Sequence, residues 1–159
     1  MDKGILYKKI KDMAAYLKEG HPAFCLQHSE KEFDDMLKHI TSNKDYFDRY
    51  DFYYYANYML KYMLNGIDSH TKVFFRDYKL LPLKIKIIDG IPYIIDSTKK
   101  YSQLAGSEIK GINGVPIKEV MFELSNIISS PSDTFLNMRL EQYLTSVNSL
   151  KSLPSIYSS

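Results

Sequence analysis

The residues best equipped for chemistry are the run Asp68-Ser69-His70-Thr71. A histidine there could donate to a backbone carbonyl or to a bound molecule, and it is the side chain that titrates nearest neutral pH. The same four residues also suit a turn, because Asp and Ser accept from nearby backbone N–H groups and the histidine can tie a helix end to the first strand. His21, His28 and His39 have no ligand at the i, i+4 step of a zinc helix; they read as surface or capping residues, and no metal or cofactor is expected. Cys25 is the single cysteine. It excludes an intrachain disulfide and a Cys-rich zinc site, and it fits a reducing compartment. No serine follows the strand-turn-helix pattern of a nucleophile; Ser107, Ser125, Ser129 and the terminal serines read as turn and cap residues.

The cluster Tyr53, Tyr54, Tyr55, Tyr58 and Tyr62 raises the question of a stacking platform for bases or sugars. Consecutive tyrosines circle a helix instead of lining one groove, and Asp45, Asp48 and Asp51 beside them would repel phosphates. The cluster therefore reads as packing with hydroxyls at the rim. A net charge of +2 with 25% charged residues agrees, carrying neither a nucleic-acid-binding excess of Lys and Arg nor an acidic tail. No nucleic-acid partner is expected. No apolar run approaches the roughly 18 residues that span a bilayer, and the N-terminus lacks a signal-peptide core. No membrane span is expected, and a cytoplasmic location is favoured.

These residues must be positioned by local elements. Leu6, Ile10, Met13, Ala14 and Leu17 fall at helical spacing and stop at Gly20 and Pro22. Ser29 and Glu32 form a capping box ahead of Phe33, Met36, Leu37 and Ile40. A third, longer helix is expected from about Ser42, with Phe52, Ala56, Met59 and Met63 on one stripe and a stop at Asn65-Gly66. Beyond it, Leu83, Ile85 and Ile87 alternate with lysines up to Asp89-Gly90, and a second apolar run follows to Ile95, a hairpin pattern. One helical turn is expected over 101–105. Gly106 breaks the chain, a strand returns, and Asn113-Gly114 turns it again. Ile117, Val120, Met121, Leu124, Ile127 and Ile128 then take helical spacing up to the SSPS run at 129–132.

This order resembles a PDZ-type module in the permuted arrangement of bacterial-type proteases, with Leu104, Gly106, Ile109, Ile112, Asn113 and Gly114 matching the run ahead of its covering helix. With HPAF at 21–24, NGIDSHTKV at 65–73 and the closing segment from Leu140, nearly the whole chain resembles the C-terminal processing, or tail-specific, serine peptidases. The resemblance implies an α+β chain: a helical domain over 1–71, a PDZ-like module over 72–131 and a helical connector over 132–159. It implies a Ser/Lys catalytic domain downstream, so the chain alone is expected to be inactive, with that domain and a polypeptide substrate as its partners. Leu81, Leu83 and Ile85 would form the peptide-binding strand edge, and Val120 and Leu124 the helix wall beside it. Asp68 and His70 become candidate domain-junction residues. Pro82, in a loop that commonly offers glycine N–H groups to a peptide carboxylate, has no N–H to offer. The alternative expectation is a stand-alone PDZ-like interaction module without peptidase activity.

Overall fold

The computed structural model describes residues 2–43, 47–73 and 78–157. The chain is α+β, with helices first, a small strand region next and helices at the end. It divides into two compact units, Met1–Val73 with Ser129–Pro131, and Phe74–Ile128 with Ser132–Ser159. Helices of the expected connector thus belong with the strands.

In the first unit three helices begin at a side chain that accepts from free N–H groups of the first turn. Asp2 accepts from Gly4 and Ile5 at the start of α1 (Lys3–Gly20). Ser29 and Glu32 complete the expected capping box on α2 (Glu30–Ser42), and Asp51 accepts from Tyr54 at the start of α3 (Phe52–Leu64). That cap corrects the sequence reading: α3 starts ten residues after Ser42 and, with 13 residues, is shorter than α1 with 18. Asp45, one of the acidic residues beside the tyrosine cluster, lies outside the described residues. Burial pushes the Asp51 carboxyl up, against the N–H groups of Tyr54 and Tyr53 that favour its charged form.

The unit's core comes from one face of each outer helix. Leu6, Ile10, Ala14 and Leu17 of α1 and Phe33, Met36, Leu37 and Ile40 of α2 are buried, and both helices pack on α3. Tyr53, Tyr54 and Tyr55 are buried, whereas Tyr58 and Tyr62 are half-buried. Tyr54 stacks on Tyr50 with centroids 3.8 Å apart, Tyr55 on Phe47 at 5.4 Å, and Tyr62 on His28 at 4.1 Å. The tyrosines therefore pack, as their spacing around the helix requires.

In the second unit β1 (Leu83–Ile88) and β2 (Ile91–Ser97) pair antiparallel across Asp89-Gly90. Positive φ at both turn residues, 51° and 78°, is the tight-turn geometry their types favour. Ile85, Ile87, Pro92 and Ile94 point into the core. A 3₁₀ segment, Lys99–Leu104, leads to a return along β2, where Ile94 N–H donates to the Ser107 carbonyl and Ile109 N–H to that of Pro92, each at 2.9 Å. The expected returning strand is thus split: a bridge between Tyr93 and Glu108, then β3 (Gly111–Ile112), which pairs with β4 (Val115–Pro116) across Asn113-Gly114. A Cβ at Gly111 would lie 2.5 Å from the Val115 carbonyl oxygen, so this close approach admits only glycine.

The second hairpin runs straight into α4 (Ile117–Ser125), whose first amide donates to the Lys110 carbonyl at 2.9 Å. α4 ends before Ile127 and Ile128, which the sequence pattern had assigned to it; both are nonetheless buried. The chain closes with α5 (Asp133–Thr145), α6 (Val147–Lys151) and α7 (Pro154–Tyr157). Buried Ser146 caps α6 and takes a 2.9 Å bond from the Ser149 hydroxyl, while Ser152 donates to the Ser149 carbonyl. These serines are satisfied structural groups.

Candidate functional site

In the first unit the turn after α3 gathers its polar groups around Asp68. One carboxylate oxygen accepts from the His70 N–H at 2.7 Å; the other accepts from the Thr71 hydroxyl at 2.6 Å. The Asp68 carbonyl accepts from the Ser129 hydroxyl at 2.9 Å, and the Asn65 side chain from the Ser130 N–H at 3.1 Å. The Thr71 and His70 bonds hold the Asp68 carboxyl below the usual carboxylate range.

Spacing alone left Asp68 without a second titratable neighbour, and the fold supplies one from 47 positions earlier. His21 Nε2 lies 3.6 Å from the carboxylate and 3.1 Å from the Thr71 hydroxyl oxygen. His21 Nδ1 accepts from the Ala23 N–H at 3.1 Å, which leaves the proton of a neutral ring on Nε2, facing Thr71. The order His21 to Thr71 to Asp68 is therefore a clasp that joins the end of α1 to the end of α3. The Thr71 hydroxyl proton points at the carboxylate, so it is not activated for attack by the histidine. His70, by contrast, has its backbone held by Asp68 and its ring 96% exposed. Among the described residues no cluster of histidine, cysteine and carboxylates is arranged to hold a metal ion, and no helix is long and apolar enough to cross a membrane.

In the second unit the residues assigned to a peptide edge are distributed differently from their expected places. The strand starts at Leu83, so Leu81 precedes it, and the Leu81 N–H donates to the Thr145 carbonyl at 2.7 Å. Leu83 is half-buried and Ile85 buried. Val120 and Leu124 of α4 have no exposed surface; α4 packs on α5, β3 and β4, and the helix that lies along β1 is α5. Glu141 of α5 was not singled out by any motif. Its carboxylate accepts from the Ile87 N–H at 2.9 Å and pairs with the Lys86 ammonium at 3.1 Å. A lone acidic residue in a helix carries no local sign of a partner 54 positions away.

With this geometry in view, the arrangement is similar in fold to one part of a solved structure of another protein. The solved structure concerned is that of a serine-to-alanine mutant of CPAF, similar at a TM-score of 0.57 with 18% identity. The match covers 94% of this chain and 29% of CPAF, so the chain spans less than a third of that protein's length. No protein-family model matches the chain, and no curated protein sequence does.

Proposed function

We propose that this chain is a non-catalytic portion of a tail-specific-type serine peptidase, in which the second unit is a PDZ-like module that handles polypeptide substrate for a Ser/Lys domain downstream. The observation that carries this reading is the fold-level likeness to CPAF over 94% of the chain. It agrees with the order of motifs from the DSHT run to the Asn113-Gly114 hairpin.

In this reading an extended substrate segment adds beside β1, where main-chain bonds give affinity that tolerates many sequences. Leu81, Leu83 and Ile85 line that edge. Val120 and Leu124, the helix-wall residues of the resemblance, are wholly buried in α4, which packs on α5, β3 and β4, so they support that edge through α5. Asp68 and His70 serve the junction to the catalytic domain: the carboxylate braces the turn, and the exposed imidazole is free to meet a carbonyl of that domain or of substrate. In this reading peptide hydrolysis belongs to the Ser/Lys domain, and the described residues of this chain serve binding and positioning.

The test is a fluorescence-anisotropy titration of the full chain against peptides with free and with amidated C-termini. Binding of both sets places recognition in the main chain and side chains of internal segments, the result expected with Pro82 in the loop. Loss of binding on amidation would require a carboxylate site and would replace the internal-segment reading. Failure of both sets to bind would sink substrate handling.

A further inference from the structure

An antiparallel strand pair leaves alternate residues with their N–H and C=O groups turned away from the partner strand. Ile87 stands opposite Pro92, which has no N–H, and the Ile87 amide points outward from β2. Alternation puts Ile85, two residues back in the regular part of the strand, on the same outer edge. On the far side, β2 is already bonded along residues 106–109 through Gly106, Ser107 and Ile109. The outer edge of β1 is thus the place where a new strand can join this sheet.

That edge is engaged by the protein's own C-terminal helices. The Ile87 N–H, which an added strand's carbonyl would take, is bonded to Glu141 Oε1 at 2.9 Å. Lys86 holds the same carboxylate through contacts of 3.1 Å and 3.3 Å to its two oxygens, and the Glu141 side chain is only 14% exposed. Ahead of the strand the grip is repeated by backbone. The Leu81 N–H donates to the Thr145 carbonyl at 2.7 Å, and the Val147 N–H donates to the Lys79 carbonyl at 3.0 Å. Asn148 accepts from the Lys79 N–H as well, so residues 141–148 hold both ends of the segment 79–87.

We infer that α5 is a latch on the β1 edge, with Glu141 occupying the hydrogen-bonding position of a bound extended polypeptide, so that substrate enters only when this carboxylate lets go of Ile87. The inference rests on the proposed reading of β1 as the peptide edge. It turns that site from an open groove into a regulated one: whatever draws α5 away from β1 raises affinity for substrate. The bond is charge-assisted and largely shielded from water, so its loss is expected to change edge access by about tenfold, in line with hydrogen bonds to charged groups.

The experiment compares the full chain with Glu141→Ala and Glu141→Gln, the latter keeping shape and an acceptor oxygen. Two readouts are taken: hydrogen exchange of the Ile87 amide by NMR, and anisotropy with a labelled extended peptide of alternating valine and lysine. The latch predicts about tenfold faster exchange at Ile87 and about tenfold tighter peptide binding in Glu141→Ala, with Glu141→Gln between it and the parent. Unchanged exchange at Ile87 in both variants would overturn the latch. Equal, measurable peptide binding by all three proteins would also overturn it while leaving the substrate-handling reading intact. Faster exchange without peptide binding in any of them would overturn the regulated site together with that reading.

Discussion

The two units close their polar groups in different ways. In the first, the caps of α2 and α3 and the hydrogen bonds to the Asp68 carboxylate join residues within three positions of each other: Ser29 to Glu32, Asp51 to Tyr54, Asp68 to Thr71. In the second, the contacts that define the candidate edge join residues more than fifty positions apart, Ile87 to Glu141 and Lys79 to Asn148. Local closure makes the first unit a braced helical body in which the His70 backbone is held while its ring stays exposed. Distant closure makes the edge of the second depend on a helix that the strand itself does not encode.

The contrast can be broken most sharply at the cores. Tyr55→Ala in the first unit and Leu124→Ala in the second each remove a side chain with no exposed surface. Each is expected to cost about 3–5 kcal/mol and 2–5 kcal/mol respectively, read from the shift of urea midpoints by circular dichroism. A loss below about 1 kcal/mol at Leu124 would deny it a place in the packed core of the second unit. Gly111→Ala comes next. Its Cβ meets a backbone oxygen that no side-chain rotation can move, so about 1–3 kcal/mol is expected from the strain of a shifted β3–β4 hairpin. If the variant melts like the parent, that close approach does not persist in solution.

A smaller effect tests the local style of the first unit. Ser29→Ala removes the cap that accepts from Glu32 N–H and is expected to destabilise the protein by about 1 kcal/mol. A thermal melt that does not move would show that Glu32 holds the helix end without its partner.

The smallest concerns pH. Asp68 is held below the ordinary carboxylate range, so the unfolded chain binds its proton first as pH falls. Its contribution is complete above the unfolded carboxylate pKa of about 4 and is lost as pH drops through the lower folded value. Glu32, lowered by the Ser29 backbone and hydroxyl, acts in the same sense. Asp51, raised by burial, acts in the opposite one, since the folded state binds its proton first and its charged form is the costly one. Asp68→Asn should therefore flatten the fall of stability below about pH 4, whereas Asp51→Asn should remove a gain of stability that the parent makes above it, as pH falls towards about 4. Parallel stability curves for parent and Asp68→Asn would remove the carboxylate from the clasp.

Much of the fold was legible wherever the cause is short in range. Helical spacing in α1 and α2, the Ser29 capping box and the two positive-φ turns at Asp89-Gly90 and Asn113-Gly114 each rest on a few adjacent residues, and each is present as expected. The start of α3 was misread because the apolar pattern continues upstream of Asp51, while the helix begins only where that carboxylate can cap it. Ile127 and Ile128 keep the helical period without the helix, since burial alone is enough to require apolar side chains there.

The candidate sites divide along the same line. Spacing and turn chemistry by themselves marked helices in the first half and two hairpins and a covering helix in the second, and they marked Asp68 and His70 as a turn worth inspection. Only the tertiary structure decided that His21 joins that turn, that Val120 and Leu124 lie wholly inside, and that Glu141 seals the edge of β1. Capping, turn chemistry and amphipathic period act over a few residues and leave their mark in the local sequence. A contact between residues fifty positions apart is chosen by how whole elements pack, and neither partner needs a neighbour that announces the other.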